Sequence, residues 1–124
     1  DFAQAARAMI RRDEGNLLNV TVRDVRRDER SALAYAREDV FGLVMLFVQE
    51  RSAAGEERMQ RMTRGLIDAA LDVGGTYYLP YRLHATAEQL RRAYPAWDEL
   101  VAAQRRHDPN GVFRNGLFRR YAEG

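Results

Sequence analysis

No cysteine and no lysine occur in these 124 residues, and only three prolines do. Without Cys there is no disulfide framework, no thiolate metal site and no cysteine nucleophile. Without Lys there is no amine to form a Schiff base. Long apolar runs are missing too. Nothing approaches the roughly 20 residues that span a bilayer, and no charged-then-apolar leader opens the chain, so no membrane partner is expected and a cytoplasmic location is. Excess charge of one sign is also scarce: 20 basic residues, all Arg, are interspersed with 18 acids for a net charge of +2. A phosphate-backbone binder concentrates unopposed charge on one face, so no nucleic-acid partner is expected either.

Self-contained catalytic motifs are lacking as well. Gly74-Gly75 follows a helical pattern and precedes a strand-like one, the reverse of a phosphate-cradling loop. His84 and His107 do not have metal-ligand spacing, so no metal is expected. Ser31 and Ser52 have no nucleophile-elbow context. The length suits one domain, residues 1–124. Because the chain starts at Asp1, already inside an amphipathic segment, it reads as the C-terminal part of a longer polypeptide.

Periodicity supplies the elements. Phe2, Ala5, Ala6, Met9 and Ile10 recur at helical spacing up to Gly15, where a glycine at positive φ would cap the helix. Asn16 to Val25 alternates as a strand, with Leu18, Val20 and Val22 on one face and Thr21, Arg23 and Val25 on the other. Phe41 to Val48 is apolar on both faces and predicts a central strand covered on both sides. Ser52 to Val73 is helical, with Met59, Met62, Leu66, Ala69, Ala70 and Val73 as its stripe and with Glu57–Arg61 and Arg64–Asp68 as i,i+4 ion pairs. Its methionines suit ordinary core filling or a plastic binding groove.

A third strand is predicted over Thr76 to His84, at a sheet edge because Pro80 has no N–H. Thr86-Ala87-Glu88-Gln89 reads as a capping box opening a short helix. Tyr94-Pro95 then starts another helix carrying Trp97, Leu100 and Val101. After the turn at His107 to Gly111, the apolar residues of the tail are expected to dock on the body. The class is α+β: a small, mainly antiparallel sheet with helices packed on one face and a C-terminal helical segment.

The chemistry-bearing residues gather on the predicted strands. Thr21 and Arg23 share a face of the first, and Tyr78, Arg82 and His84 share a face of the third, with Tyr77 and Tyr81 on its alternate face. Guanidinium, phenol and imidazole on one surface suit binding of an electron-rich ring, orientation of a hydroxyl or stabilisation of developing negative charge. The structural alternative is that Arg23 pairs with Asp24 or Asp28 and that the tyrosines are interface packing.

The ordered set Gly74-Gly75-Thr76-Tyr77-Tyr78-Leu79-Pro80-Tyr81, Tyr94-Pro95 and Asp108-Pro109-Asn110-Gly111-Val112-Phe113-Arg114-Asn115 resembles the C-terminal end of FAD-linked oxidases of the vanillyl-alcohol oxidase type. The sugar-lactone and alditol oxidase branch is the nearest comparison. The resemblance covers residues 74–121 well and 16–49 more loosely. It implies that Arg23 lies at the reactive edge of the flavin ring and favours its reduced anionic form, and that Tyr78 and Asn115 help hold the FAD. It places Tyr81, Arg82 and His84 with Arg23 on the catalytic wall. Pro80-Tyr81-Arg82 stands where the alditol oxidases carry a Pro-His-Trp-Gly-Lys run. No lysine exists here, so Tyr81 or Arg82 would take that place.

The function the resemblance implies is oxidation of a hydroxylated small molecule (an alcohol, polyol or sugar lactone) by hydride transfer to FAD. The cofactor would be held mainly by an FAD-binding domain of the same polypeptide, and this portion alone would be inactive. The alternative from a different class is a non-enzymatic α+β module that binds a ligand or forms a homodimer through its sheet.

Overall fold

Residues 1–123 are described by a computed structural model. The elements follow the order α1 (Phe2–Arg12), β1 (Asn16–Val25), β2 (Val40–Val48), α2 (Ala53–Asp72), α3 (Ala87–Ala93), α4 (Trp97–His107) and α5 (Gly116–Tyr121). The class is α+β, with five helices and a two-stranded antiparallel sheet among the described residues. No helix among them is long and apolar enough to cross a membrane.

Helix α1 is capped by Asp1, whose carboxylate accepts from the Ala3 N–H. Its end differs from the sequence expectation. The positive φ falls on Glu14, at 53°, and not on Gly15. Gly15 is required for a different reason: its N–H bonds to the Ile10 carbonyl at 2.7 Å, and a Cβ there would stand 2.6 Å from the Met62 sulfur, which is buried in the body.

The two strands pair with Arg23 opposite Gly42, Thr21 opposite Val44 and Val25 opposite Val40. Partners in an antiparallel ladder point to the same face, so the other face carries Val22 with Leu43, Val20 with Met45 and Asp24 with Phe41. A bulge between Leu17 and Asn19 shifts the register and takes Leu18 out of the alternation. The expectation that β2 is central and covered on both sides is overturned. No residue of either strand is buried, and Phe41 is 74% exposed.

The third strand is not formed either. Residues 76–85 run as irregular chain, fixed by side-chain hydrogen bonds to other parts of the chain and not by a neighbouring strand. Thr76 Oγ1 donates to the Tyr35 carbonyl, Tyr94 Oη to the Tyr77 carbonyl and Arg64 Nε to the His84 carbonyl. Pro80 has no N–H to offer a ladder.

Helix α2 begins where Ser52 Oγ accepts from the Gly55 N–H at 3.0 Å, and Gly74, at φ 77°, follows its end. Its buried positions are Gly55, Met62, Ile67 and Ala69. The two i,i+4 ion pairs expected on it are not formed. Arg64 reaches the His84 carbonyl instead, Asp68 accepts from Gln89 Nε2 at 2.7 Å, and Glu57 and Arg61 make no ion pair among the described residues. Gly55 is needed for close approach, since a Cβ there would overlap the Glu50 carbonyl oxygen and lie 3.0 Å from Glu50 Cβ. Gly55→Ala is therefore expected to lower stability by about 1–3 kcal/mol, read as a lower urea midpoint. An unchanged midpoint would show that the β2–α2 connection gives way without cost.

The core lies between α2, α3, α4 and α5. Ile67, Ala85, Leu90, Ala93, Tyr94, Trp97, Val101 and Tyr121 form one buried cluster, with Leu33, Tyr35, Leu83, Leu117 and Phe118 packed against it. The Thr86 capping box forms as the sequence indicates: Gln89 N–H donates to Thr86 Oγ1 at 3.1 Å, and Thr86 N–H donates to Gln89 Oε1 at 2.9 Å. The tail divides. Tyr121 is buried and donates to the Ala85 carbonyl at 2.9 Å, whereas Val112 and Phe113 remain outside the core.

Candidate functional site

Four of the residues singled out in the sequence, Tyr78, Tyr81, Arg82 and His84, lie on the 76–85 segment, and two of them, Arg82 and His84, tie it to α2 through one carboxylate. Glu56, in the first turn of α2, accepts from Gln49 Nε2 at 2.7 Å, Gln60 Nε2 at 3.3 Å and Arg82 at 2.5 Å, and lies 3.0 Å from His84 Nε2. His84 is 5% exposed, and its Nδ1 lies 3.2 Å from Thr63 Oγ1. A carboxylate is an acceptor only, so Nε2 donates to Glu56, and Nδ1 shares a hydrogen bond with the Thr63 hydroxyl. Arg82 also donates to Gln49 Oε1 at 2.8 Å, which ties the segment to the residue following β2. An open cavity of about 540 Å³ lies beside this cluster, bordered by Gln49, Ser52, Glu56 and Arg82.

Donors converging on Glu56, from Gln49 first and then Gln60, His84 and Arg82, pull its pKa down to about 2. A depressed carboxylate pKa stabilises the fold above the ordinary value of 4.5, and that stability is lost as pH falls from there towards 2. Asp28, Asp39, Glu50 and Asp108 are shifted in the same direction. Glu56→Gln should therefore lower stability at neutral pH and flatten part of the acid slope, leaving the part owed to the other four. Urea midpoints measured from pH 7 to 2 check this. An acid slope identical to the wild type's would mean that Glu56 does not hold the segment.

Tyr78 and Tyr81 form an aromatic surface on the same segment. Tyr78 makes edge-to-face contacts with Tyr35 and with Tyr81, each with ring centroids 5.2 Å apart. Tyr81 is 65% exposed, and no hydrogen bond or ion pair among the described residues engages its hydroxyl. Tyr77 turns the other way and packs edge-to-face on Tyr94, where burial pushes both phenols well above their ordinary pKa.

Arg23 stands on the ribbon. The neighbouring acids are occupied elsewhere: Asp24 is 3.7 Å from Arg26, and the Asp28 carboxylate accepts from the Arg30 and Ser31 N–H groups. Pairing of Arg23 with either acid, the structural alternative, does not occur. Arg23 is exposed, makes no ion pair among the described residues, and faces the bare backbone of Gly42. No hydrogen bond or ion pair among the described residues joins it to the Glu56 cluster.

Asn115 is also separate from that cluster. Its carboxamide oxygen accepts from the Phe118 N–H at 3.0 Å and caps α5. Just before it, the Asp108 carboxylate accepts from the Val112 and Phe113 N–H groups at 2.9 and 2.8 Å, which holds its pKa below the usual range.

Sequence reasoning missed Glu56, Gln49, Thr63 and Tyr35. Glu56 and Thr63 read as ordinary positions of an amphipathic helix, and nothing local announces that a loop folds against them. Tyr35 left a faint trace, an aromatic residue without periodic partners between charged stretches. No group of three or more potential metal ligands exists among the described residues. The arrangement offers an exposed guanidinium on a ribbon face shared with Thr21, Val40, Gly42 and Val44, an aromatic surface with an exposed phenol, and a loop fixed by a buried imidazole and a carboxylate. No protein-family model, no curated protein and no solved structure gives a significant match to the chain.

Proposed function

We propose that this chain is the substrate-side domain of an FAD-dependent oxidoreductase acting on a hydroxylated small molecule. The observation that carries the reading is the polar face of the ribbon. Among the described residues Arg23 has no acid partner, and it pairs with Gly42, beside Val40 and Val44, on a face where no residue is fully buried. A planar, largely apolar ring that gains negative charge at one edge fits such a face. The small side chains let the ring approach, and the guanidinium stabilises the charge. The ordered segments at 74–81, 94–95 and 108–115, which resemble the FAD-linked oxidases, support the same reading.

The flavin, when bound, accepts the hydride that leaves the alcohol carbon. Within this chain, Arg23 supplies the compensating positive charge, and the exposed Tyr81 hydroxyl is the group free to orient a substrate hydroxyl. Arg82 and His84 act one step back. Through Glu56 they hold the segment that presents Tyr78 and Tyr81. The test is to express the full reading frame containing this chain and record its visible spectrum. A flavin band is expected; a colourless protein that takes up no FAD would sink the reading.

One observation favours a second reading. The opposite face of the ribbon, with Val20, Val22 and Phe41, is apolar and exposed, as a homodimerisation surface would be. Sedimentation velocity on the same protein separates the two, because a flavin-free dimer would support only the second.

A further inference from the structure

All six tyrosines of the chain and its one tryptophan belong to a single connected set of rings. Trp97, Tyr94 and Tyr121 lie in the buried cluster, and Tyr35 and Tyr77 pack against it. Within that group Tyr77 meets Tyr94 at a centroid separation of 5.6 Å, and Trp97 meets Tyr121 at 6.4 Å. From Tyr35 the set continues outward to Tyr78 and then to Tyr81, with 5.2 Å between centroids at each step. Exposure rises along the way, from 1% at Trp97 to 48% at Tyr78 and 65% at Tyr81. Packing alone does not ask for this segregation: of the five phenylalanines, which fill space as well but do not give up an electron readily, only Phe118 joins the cluster. Cysteine, the side chain that would otherwise intercept an oxidant, is absent.

The surroundings of the ring protons are graded in the same direction. A phenol that loses an electron must also lose its proton, or it remains as a cation that a dry interior disfavours. The Tyr94 and Tyr121 hydroxyls donate to the peptide carbonyls of Tyr77 and Ala85, which are not bases. Tyr77 Oη and Trp97 Nε1 have no partner among the described residues. The Tyr81 hydroxyl, by contrast, is open to water.

We propose that these rings form a conduit that carries a one-electron oxidation out of the core, entering at Trp97 and ending on Tyr81. A one-electron oxidant takes an electron from the Trp97 indole and leaves its cation radical. Electrons then move inward from ring to ring, through Tyr78 and Tyr35 and across the cluster, until the indole is restored and Tyr81 has supplied the electron. The Tyr81 proton passes to water and leaves a neutral phenoxyl radical. One electron has gone to the oxidant and one proton to solvent. The direction is set at the exposed end, because the buried phenols hold the charge only in passing. The conduit does not depend on a bound flavin.

Flash photolysis of the 124-residue chain tests the route. Light at the red edge of the indole band, where phenols do not absorb, ionises Trp97, and dissolved oxygen takes up the ejected electron as superoxide. The indole-radical absorption is expected to give way to that of a phenoxyl radical, and peptide mass spectrometry should find a nitroso spin trap bound chiefly to Tyr81. Tyr78→Phe keeps a ring in place but cannot take up the charge, so most of the Tyr81 adduct should be lost although Tyr81 itself is untouched. Trp97→Phe should remove it altogether. In urea the Tyr81 adduct should no longer respond to Tyr78→Phe, which separates the folded route from direct attack. An indole radical that decays with no phenoxyl signal overturns the conduit. So does a Tyr81 adduct as abundant in folded Tyr78→Phe as in the wild type, and a trap bound chiefly to Tyr78 removes Tyr81 as the terminus.

Discussion

Trp97→Ala is expected to cost about 3–5 kcal/mol of folding free energy, a third or more of the roughly 5–15 kcal/mol that holds an ordinary domain folded. Trp97 is 1% exposed at the centre of the cluster that joins α2, α3, α4 and α5. Its ring packs on Phe118 at 5.3 Å and edge-on to Tyr121 at 6.4 Å, so truncation opens a cavity lined by residues from separate elements. The surroundings cannot collapse cheaply, because Tyr121 is tied to the Ala85 carbonyl and Tyr94 to the Tyr77 carbonyl. The indole N–H has no hydrogen-bond partner among the described residues, so Trp97→Phe loses volume but no bond and should cost clearly less than the alanine variant. Urea unfolding of both variants checks this. Equal losses would mean that the indole nitrogen, and not packing, carries the contribution of Trp97.

If the proposed flavin function holds, Arg23→Ala should slow flavin reduction by about 10- to 100-fold, or ~1.4–2.7 kcal/mol in the barrier. Removing one preorganised donor from a water-excluded site costs roughly 100- to 1000-fold. No residue of the ribbon is fully buried, so solvent screening brings the expected effect below that range. The same substitution should leave folding within about 0.5 kcal/mol, because Arg23 is exposed and makes no ion pair among the described residues. This contrast separates a role in charge stabilisation from a structural one. Stopped-flow reduction and thermal unfolding, run on the same preparation, give both numbers. An unchanged reduction rate would remove Arg23 from the site.

Local chemistry was legible in the sequence. The capping box at Thr86, the Ser52 start of α2, the strand from Asn16 to Val25 and the class α+β all rest on interactions within a few residues. Long-range partners were not legible. Thr76 to His84 reads as a strand, placed at a sheet edge because Pro80 has no N–H. What fixes the segment instead is a set of side chains 17 to 41 residues away: Tyr94, Arg64, Glu56 and the loop at Tyr35. For the same reason Tyr78, Arg82 and His84 do not share one sheet face. Tyr78 joins an aromatic surface, while Arg82 and His84 converge on Glu56. Doubly apolar β2 was read as covered because apolar residues avoid water. In the structure no residue of β2 is fully buried, and that partly open ribbon is what the proposed function uses.

Anaerobic mixing of the purified full-length protein with a panel of alcohols, polyols and sugar lactones, followed in the flavin band, tests the central claim most directly. The account predicts that at least one hydroxylated compound bleaches the band, that admission of an electron acceptor restores it, and that Arg23→Ala slows the bleaching without changing the spectrum at rest. A protein that binds no flavin, or whose bound flavin no hydroxylated compound reduces, would contradict it.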